Sequence, residues 1–187
     1  MRHVQVDRAR ALAESLLAEP LPRRWAHSRA VGAQAETLGP LLGPDTELLV
    51  AAAWLHDIGY APSIAHTGFH PIDGARYLRN IEQADDVLCR LVAHHSCAVI
   101  EAEERGLADK LTTEFAPPPD YLADALLYCD MTTGPSGERL DVEQRLEEIH
   151  GRYGDKDVVS RSIRRATPGI LAAVKATAEA LARARSA

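Results

Sequence analysis

The chain has 187 residues, a net charge of −6 and a hydrophobic content of 46%. That hydrophobic content excludes a disordered chain, and the low aromatic content of 5% favours helix over sheet, where aromatic and β-branched residues concentrate. The negative charge argues against a nucleic-acid polymer as partner. Together these values predict a single all-α domain over residues 1–187.

The sequence shows neither a membrane span nor a secretion signal. Its longest apolar run, Leu48 to Leu55, is far shorter than the roughly 20 residues that a span needs. The first ten residues lack the apolar core of a signal peptide. Cys89, Cys97 and Cys129 show no CxxC spacing, which favours reduced thiols. We therefore expect a cytoplasmic protein without membrane contacts.

Apolar residues recur at helical spacing through most of the chain. In chain order, and with ends placed to within about 2–4 residues, the predicted helices cover residues 5–18, 22–38, 45–58, 71–82, 84–95, 97–106, 120–131, 141–150 and 168–184. Asp120 suits a helix N-cap, while Pro71 and Pro168 suit a first helical position. Gly39 and Gly59 suit left-handed helix ends.

The predicted helix 45–58 ends in two polar residues that do not fit its composition. It is apolar on every side, yet it finishes with His56 and Asp57. A carboxylate in the protein interior is costly unless it is hydrogen-bonded, paired with a cation or bound to a metal. Asp57 therefore needs a partner.

Three other predicted helices repeat this mismatch. His27 lies on an apolar side of its helix, and Asp130 continues an apolar stripe at four-residue intervals. His94 and His95 directly follow another apolar run. One interior metal site with mixed histidine and carboxylate ligands would explain all four helices at once.

Each residue also has a structural explanation of its own. A single histidine such as His27 is more often a hydrogen-bonded core residue than a ligand. Asp57 and Asp130 could bond to backbone N–H groups or to an arginine. His66 and His70 are four residues apart, but the glycine and proline around them predict a loop rather than a helical ligand pair. Only the joint occurrence favours the metal site.

The order His27, then His56-Asp57 within "HDIG", then Asp130 resembles the H…HD…D signature of the HD-domain superfamily of metal-dependent phosphohydrolases. The resemblance covers about residues 20–135. It implies a helical core of five or more helices around the site, followed by a C-terminal helical extension over about 138–187.

"HPIDGARYL" from His70 and "LVAHHS" around His94 are similar to the extra histidines of HD subfamilies that hold two metals. These include the bacterial HD-type dinucleoside tetraphosphate hydrolases and the HD-GYP cyclic-dinucleotide phosphodiesterases. The chain departs from the HD-GYP pattern because it has Tyr60 in place of a lysine and lacks the GYP motif, which argues against a cyclic-dinucleotide substrate.

The ligand set that the resemblance implies is divided between two metals. The first metal would be held by His27, His56, Asp57 and Asp130. Asp57 would also bridge to a second metal held by His70 and His94, with His95 as the alternative to His94. Spacing leaves that choice open, since both histidines continue apolar stripes. We expect two divalent ions, with Fe or Mn favoured over Zn, Co, Ni or Mg.

The remaining candidates would act on the substrate. Arg23 and Arg24 precede His27 by four and three residues, so either can share its face and bind phosphate, unless both are simply solvated. Thr132 and Thr133 could offer hydroxyl groups to a substrate or merely end a helix. The candidate catalytic residues are Asp57, Arg24 and His95.

The sequence therefore predicts a phosphohydrolase that cleaves a phosphate ester or anhydride of a nucleotide or another small phosphorylated metabolite with a metal-activated water. Two alternatives remain, since some proteins that resemble the HD fold are mixed-valence di-iron oxygenases and others are non-catalytic regulatory modules. The apolar stripe of the last helix predicts packing either on the core or in a homodimer interface.

Overall fold

The computed structural model describes residues 3–186, and its regular elements are helices. They are α1 (His3–Leu17), α2 (Pro22–Glu36), α3 (Gly39–Leu42), α4 (Thr46–Leu55), α5 (His70–Asn80), α6 (Asp86–His94), α7 (Ala98–Glu104), α8 (Ala108–Glu114), α9 (Asp120–Met131), α10 (Val142–Tyr153) and α11 (Val158–Ser186). Short 3₁₀ turns cover Gly43–Asp45, Ile58–Tyr60 and His95–Cys97. Extended pairing in the described part of the chain is limited to an isolated bridge between Thr133 and Arg139. The all-α prediction is confirmed.

Helix α4 lies at the centre of the fold. Every side chain from Leu49 to Leu55 is buried, and α4 packs against α1, α2, α6 and α9. A helix that is apolar on every side must be covered on every side, which explains this position. The residues that follow it, His56 and Asp57, therefore emerge in the interior.

The last helix begins ten residues earlier than its proline predicts. Pro168 lies inside α11 rather than at its start. Proline removes one backbone hydrogen bond, but Ile163, Ala166, Ile170 and Val174 are buried on the side of α11 that packs against α7, α9 and α10. That burial favours helix on both sides of the proline.

Three predicted helix ends are wrong in detail, and helices α3 and α8 were missed. Asp120 is the first residue of α9 rather than its N-cap, which is Pro119. Gly39 opens α3 instead of ending α2. Neither Gly39 nor Gly59 has a positive φ angle. Pro71, by contrast, does lie in the first turn of its helix, as predicted.

Gly59 is required for close packing instead of a left-handed turn. A Cβ atom there would lie 1.9 Å from the backbone oxygen of His70. The absence of a side chain at Gly59 lets the start of α5 press against the turn that follows α4. This contact brings His70 next to Asp57.

Within the described residues, no helix has both the length and the hydropathy that crossing a membrane would require. Cys89, Cys97 and Cys129 are all free thiols.

Candidate metal centre

Side chains from five helices or their ends converge on one cavity. His27 comes from α2, His70 from the first turn of α5 and Asp130 from α9. His56 and Asp57 follow the end of α4, and His95 follows the end of α6. Next to these side chains lies a cavity of about 80 Å³ that His27, Asp57, His70, His95 and Asp130 all line.

The first group of donors is His27, His56 and Asp130. All three residues are buried, and one donor atom from each lies within 4.8 Å of the others. His27 Nε2 is 2.9 Å from Asp130 Oδ1, and His56 Nε2 is 4.0 Å from that same oxygen. Such a set of two imidazoles and a carboxylate is suited to a transition metal.

The second group is Asp57, His70 and His95. Asp57 Oδ1 lies 3.4 Å from His70 Nε2 and 3.7 Å from His95 Nε2. The two imidazole nitrogens are 3.1 Å apart. The three donor atoms again fall within 4.8 Å of one another.

Asp57 faces both groups with different oxygens. Its Oδ2 atom is 3.4 Å from His56 Nε2 and 4.0 Å from His27 Nε2, whereas Oδ1 faces His70 and His95. A carboxylate placed in this way can bridge two cations. The Asp57 side chain is 4% exposed, so its charge needs nearby compensation.

Backbone carbonyl groups fix the orientation of three imidazoles. The Nδ1 atom donates to Gly134 O at 2.9 Å in His27, to Ala53 O at 2.7 Å in His56 and to Val92 O at 2.7 Å in His95. A carbonyl oxygen only accepts, so each Nδ1 carries the proton. When such a ring is neutral, the lone pair of its Nε2 atom points into the site, as in metal-binding histidines.

The arrangement of the donor atoms suits a bound cation better than it suits hydrogen bonds among the donors themselves. Among the described residues, the buried Nε2 atom of His56 has no hydrogen-bond partner. The lone pair of a neutral His27 would face the carboxylate oxygen of Asp130 across 2.9 Å, which is repulsive unless a proton or a cation lies between them. A metal ion at each group would satisfy these atoms.

The electrostatics of the metal-free site are strongly perturbed. Burial lowers the pKa of His56, but the Asp57 and Asp130 carboxylates outweigh it and raise that pKa to about 9. Burial raises the pKa of Asp57, but Arg24 and His56 outweigh it and hold that pKa well below its usual range. Burial, aided by the positive charge of His70 and His56, lowers the pKa of His95 to about 3.

His95, not His94, lies at the site. His94 ends α6, is half-buried and places Nε2 2.8 Å from Phe115 O, away from both groups. The chain becomes extended at His95, and Ser96 and Cys97 then adopt left-handed backbone angles with φ of 50° and 61°. The His95 ring points into the site, where its Nδ1 atom bonds to Val92 O, and helical spacing alone does not indicate this position.

Of the two predicted arginines, Arg24 reaches the site. Its Nη1 atom donates to Asp57 Oδ2 at 2.7 Å, and its guanidinium stacks on the Tyr60 ring at 3.9 Å. Tyr60 stacks in turn on His70, with ring centroids 3.9 Å apart. Arg23 is exposed and borders a separate surface groove outside the cavity.

The hydroxyl groups of Thr132 and Thr133 do not reach the site. Both residues are buried, and they donate to the carbonyl oxygens of Tyr128 at 2.6 Å and Cys129 at 2.8 Å in the helix that they follow. Because these hydrogen bonds close the last turn of α9, the structure does not support the predicted contact of the two threonines with a substrate.

The cavity-lining residues that sequence reasoning missed include Ser96, Glu101, Arg145 and Arg152. The Ser96 hydroxyl donates a short hydrogen bond to Asp130 Oδ2. Arg145 could have been found, because it interrupts the apolar spacing of Val142, Leu146 and Ile149 just as the other site residues interrupt theirs. The sequence around Ser96 carries no comparable signal.

Comparison with known proteins gives one match. A family model described as HD domain matches residues 24–146, which is more than half of the 187 residues. The matched segment includes every donor of both groups. Neither the curated proteins nor the solved structures gave a significant match to the chain.

Proposed function

The chain belongs to the HD-domain family, and on that premise we propose that it is a metal-dependent phosphohydrolase. It cleaves a phosphate ester or anhydride of a nucleotide or another small phosphorylated metabolite. The observation that carries the proposal is the position of Asp57. Its two carboxylate oxygens face two separate groups of histidine and carboxylate donors.

The cofactors of this proposal are two divalent metal ions. His27, His56 and Asp130 would hold one ion, His70 and His95 the other, and Asp57 would touch both. Donor sets rich in imidazole favour Fe or Mn, and they also accept Zn, Co or Ni. The low pKa of His95, about 3, keeps that imidazole neutral and ready to bind near neutral pH.

The bound ions would lower the pKa of water and polarise the phosphoryl group. The protein contributes orientation and charge. Arg24 donates one N–H group to Asp57. The remaining N–H groups of its planar guanidinium can donate to phosphate oxygens. Stacking on Tyr60 holds that guanidinium at the cavity wall. The buried side chains around the site lower the local polarity, which strengthens these interactions.

The compartment, the substrate class and the oligomeric state complete the proposal. The free cysteines fit a reducing compartment, so we propose that the enzyme acts in the cytoplasm. The cavity of about 80 Å³ has room for a phosphoryl group, and the substrate of this proposal is a small molecule rather than a polymer. A homodimer remains a prediction, and measurement of the molar mass in solution by light scattering tests it.

The function is tested on the purified protein by elemental analysis and by phosphate release. The panel contains nucleoside mono-, di- and triphosphates, dinucleoside polyphosphates and p-nitrophenyl phosphate, each with Fe, Mn, Zn, Co, Ni or Mg. We expect Fe or Mn in the isolated protein and metal-dependent release of phosphate. Oxygen uptake by the iron-loaded protein without phosphate release would establish oxygenase chemistry instead. A metal-free and inert protein would indicate a regulatory module.

A further inference from the structure

Helix α10 presents two arginines to the metal centre. Arg145, Ile149 and Arg152 follow one another at four- and three-residue spacing, and all three line the cavity. Residues at this spacing share one face of a helix. Arg24 from α2 lines the same cavity. Three guanidinium groups therefore surround the site.

Arg145 is buried and incompletely satisfied. Its side chain is 6% exposed, and its Nη1 atom pairs closely with Glu148. Nη2 lies 4.0 Å from Asp130 Oδ1, too far for a hydrogen bond. Among the described residues, its buried Nε atom has no hydrogen-bond partner. A buried cation with incompletely paired N–H groups is costly, and because Arg145 lines the cavity, a ligand there could supply an acceptor to Nη2.

Glu148 connects the two arginines of α10. Its Oε2 atom pairs with Arg145, and its Oε1 atom lies 3.1 Å from Arg152 Nε. One carboxylate thus holds two guanidinium groups on neighbouring turns. Arg152 is the outer of the two, with a side chain that is 30% exposed, against 6% for Arg145. Both residues line the cavity.

The charge of the cavity wall indicates an anionic ligand. Three arginines and three carboxylates line it, and the carboxylates are Asp57, Asp130 and Glu101. These charges balance while the histidines are neutral. Each divalent cation bound at the donor groups adds two positive charges, and phosphate oxygens would offset that excess.

A second observation extends the site outward. Arg24 and Arg152 line both the cavity of the metal centre and a surface groove that Arg23 also borders. The inner cavity, about 80 Å³, is far smaller than the roughly 300–1,000 Å³ of typical small-molecule pockets. It has room for a phosphoryl group, while the rest of a substrate would lie along the arginine-lined groove.

We propose that Arg145 and Arg152 form a two-position phosphate subsite, so that the preferred substrate carries at least two linked phosphates. Arg145 binds the phosphoryl group that reacts, and Arg152 binds the neighbouring phosphate. This inference rests on the proposed phosphohydrolase function. In the reaction a bridging P–O bond breaks, and the oxygen of water forms a new bond to phosphorus. The departing phosphate keeps the electron pair, and the protons of water pass to the two products or to solvent.

The first test measures binding to the metal-loaded protein by isothermal titration calorimetry. The probes are inorganic phosphate and methylenediphosphonate, whose two phosphorus atoms are joined by a bond that water does not cleave. We expect the unaltered protein to bind the diphosphonate about tenfold to 100-fold more tightly, as one further charge-assisted contact provides. Metal content after dialysis shows whether either probe has removed the ions.

Variants separate the two positions. Arg152→Gln should reduce the preference for diphosphonate to nearly none, because it weakens the binding of diphosphonate far more than the binding of phosphate. Arg145→Lys keeps the buried charge but should weaken the binding of both probes about tenfold, because lysine lacks the planar guanidinium that binds two phosphate oxygens at once. Arg164→Gln is the matched control, since Arg164 pairs with Asp155 on the surface. An unchanged preference in the Arg152→Gln variant would overturn the inference.

Activity distinguishes this inference from the proposed function. We expect kcat/KM for ADP to exceed that for AMP, and Arg152→Gln to lower the value for ADP by a larger factor than the value for AMP. If both substrates are hydrolysed and the variant affects them equally, the subsite is wrong and the function stands. If neither is hydrolysed by any metal form but diphosphonate binding still depends on Arg152, the phosphate subsite stands and the hydrolase function is wrong.

Discussion

The two donor groups of the metal centre contain the same residue types at different depths. His27 and His56 of the first group are 1% and 0% exposed. In the second group, the His70 side chain is 13% exposed and stacks on Tyr60 at the cavity wall. The two histidines of the first group are thus less accessible than His70, although the Asp130 side chain of the first group is 10% exposed and the His95 side chain of the second is 4% exposed. If each group holds an ion as proposed, the burial of its two histidines should make the first group release its ion more slowly than the second.

The comparison depends on Asp57, which serves both groups. Asp57→Asn keeps the shape of the side chain but removes the shared charge. It should lower the content of both ions in the protein and reduce kcat/KM on the order of 1,000-fold or more, since the loss of one residue from a set that acts as a unit removes the function of the whole set. Elemental analysis and phosphate release measure these effects. Asp124→Asn is a suitable control, because Asp124 belongs to neither group. Full metal content in Asp57→Asn would contradict the bridging role.

Alanine variants of one histidine from each group test the difference in depth. His70→Ala should lose only the ion of the second group, with an activity loss of about 100-fold or more. His27→Ala should release the firmly held ion as well, because Asp130 then loses its 2.9 Å partner. Metal content after dialysis against a chelator measures the outcome. Equal retention in the two variants would show that burial does not separate the sites.

Adjacent histidines sharpen the assignment of the second group. His95→Ala should lower the affinity for the second ion by about 100-fold or more. His94→Ala should leave metal content and activity nearly unchanged and cost about 1 kcal/mol of stability, since it removes only the bond to Phe115 O. Metal titration and thermal denaturation report on these two effects. The opposite pattern would reassign the ligand to His94.

The pH dependence of metal binding is the smallest expected effect. The raised pKa of His56, about 9, means that its ring is protonated at pH 7.5 in the metal-free protein. Binding through Nε2 must release that proton, so affinity rises with pH up to about 9 and then levels off. Calorimetry in buffers of different ionisation enthalpy should show release of about one proton per first-group ion at pH 7.5. No release would contradict the protonated state.

The same pKa shift predicts the stability of the metal-free protein. Because the folded-state pKa of His56 is raised above 6.5, its contribution is fully present below pH 6.5 and is lost as the pH rises towards 9. A bound metal ion should prevent this loss of stability, since its positive charge replaces that of the proton on His56. Thermal denaturation of metal-free and metal-loaded samples should therefore diverge most at alkaline pH.

Much of the candidate metal centre could be predicted because single polar residues are easily recognised within an apolar helical pattern. His27, Asp57 and Asp130 each interrupt a helical stripe, and the structure brings all three to one place. Helix ends were less predictable. Pro168 indicated a start that the packing of α11 overrides, and Gly59 has a role that depends on its distance from His70. Such contacts join segments distant along the chain.

The amino-acid sequence by itself determined the helical class, the central position of α4 and which residue types must find partners in the interior, because periodicity and the cost of buried charge are local properties. Tertiary structure alone decided that His95 rather than His94 turns inward and that Thr132 and Thr133 turn away. It also brought Arg145 and Arg152 of α10 against a site built by other helices. Those outcomes depend on backbone reversals and on packing between helices, neither of which helical spacing encodes.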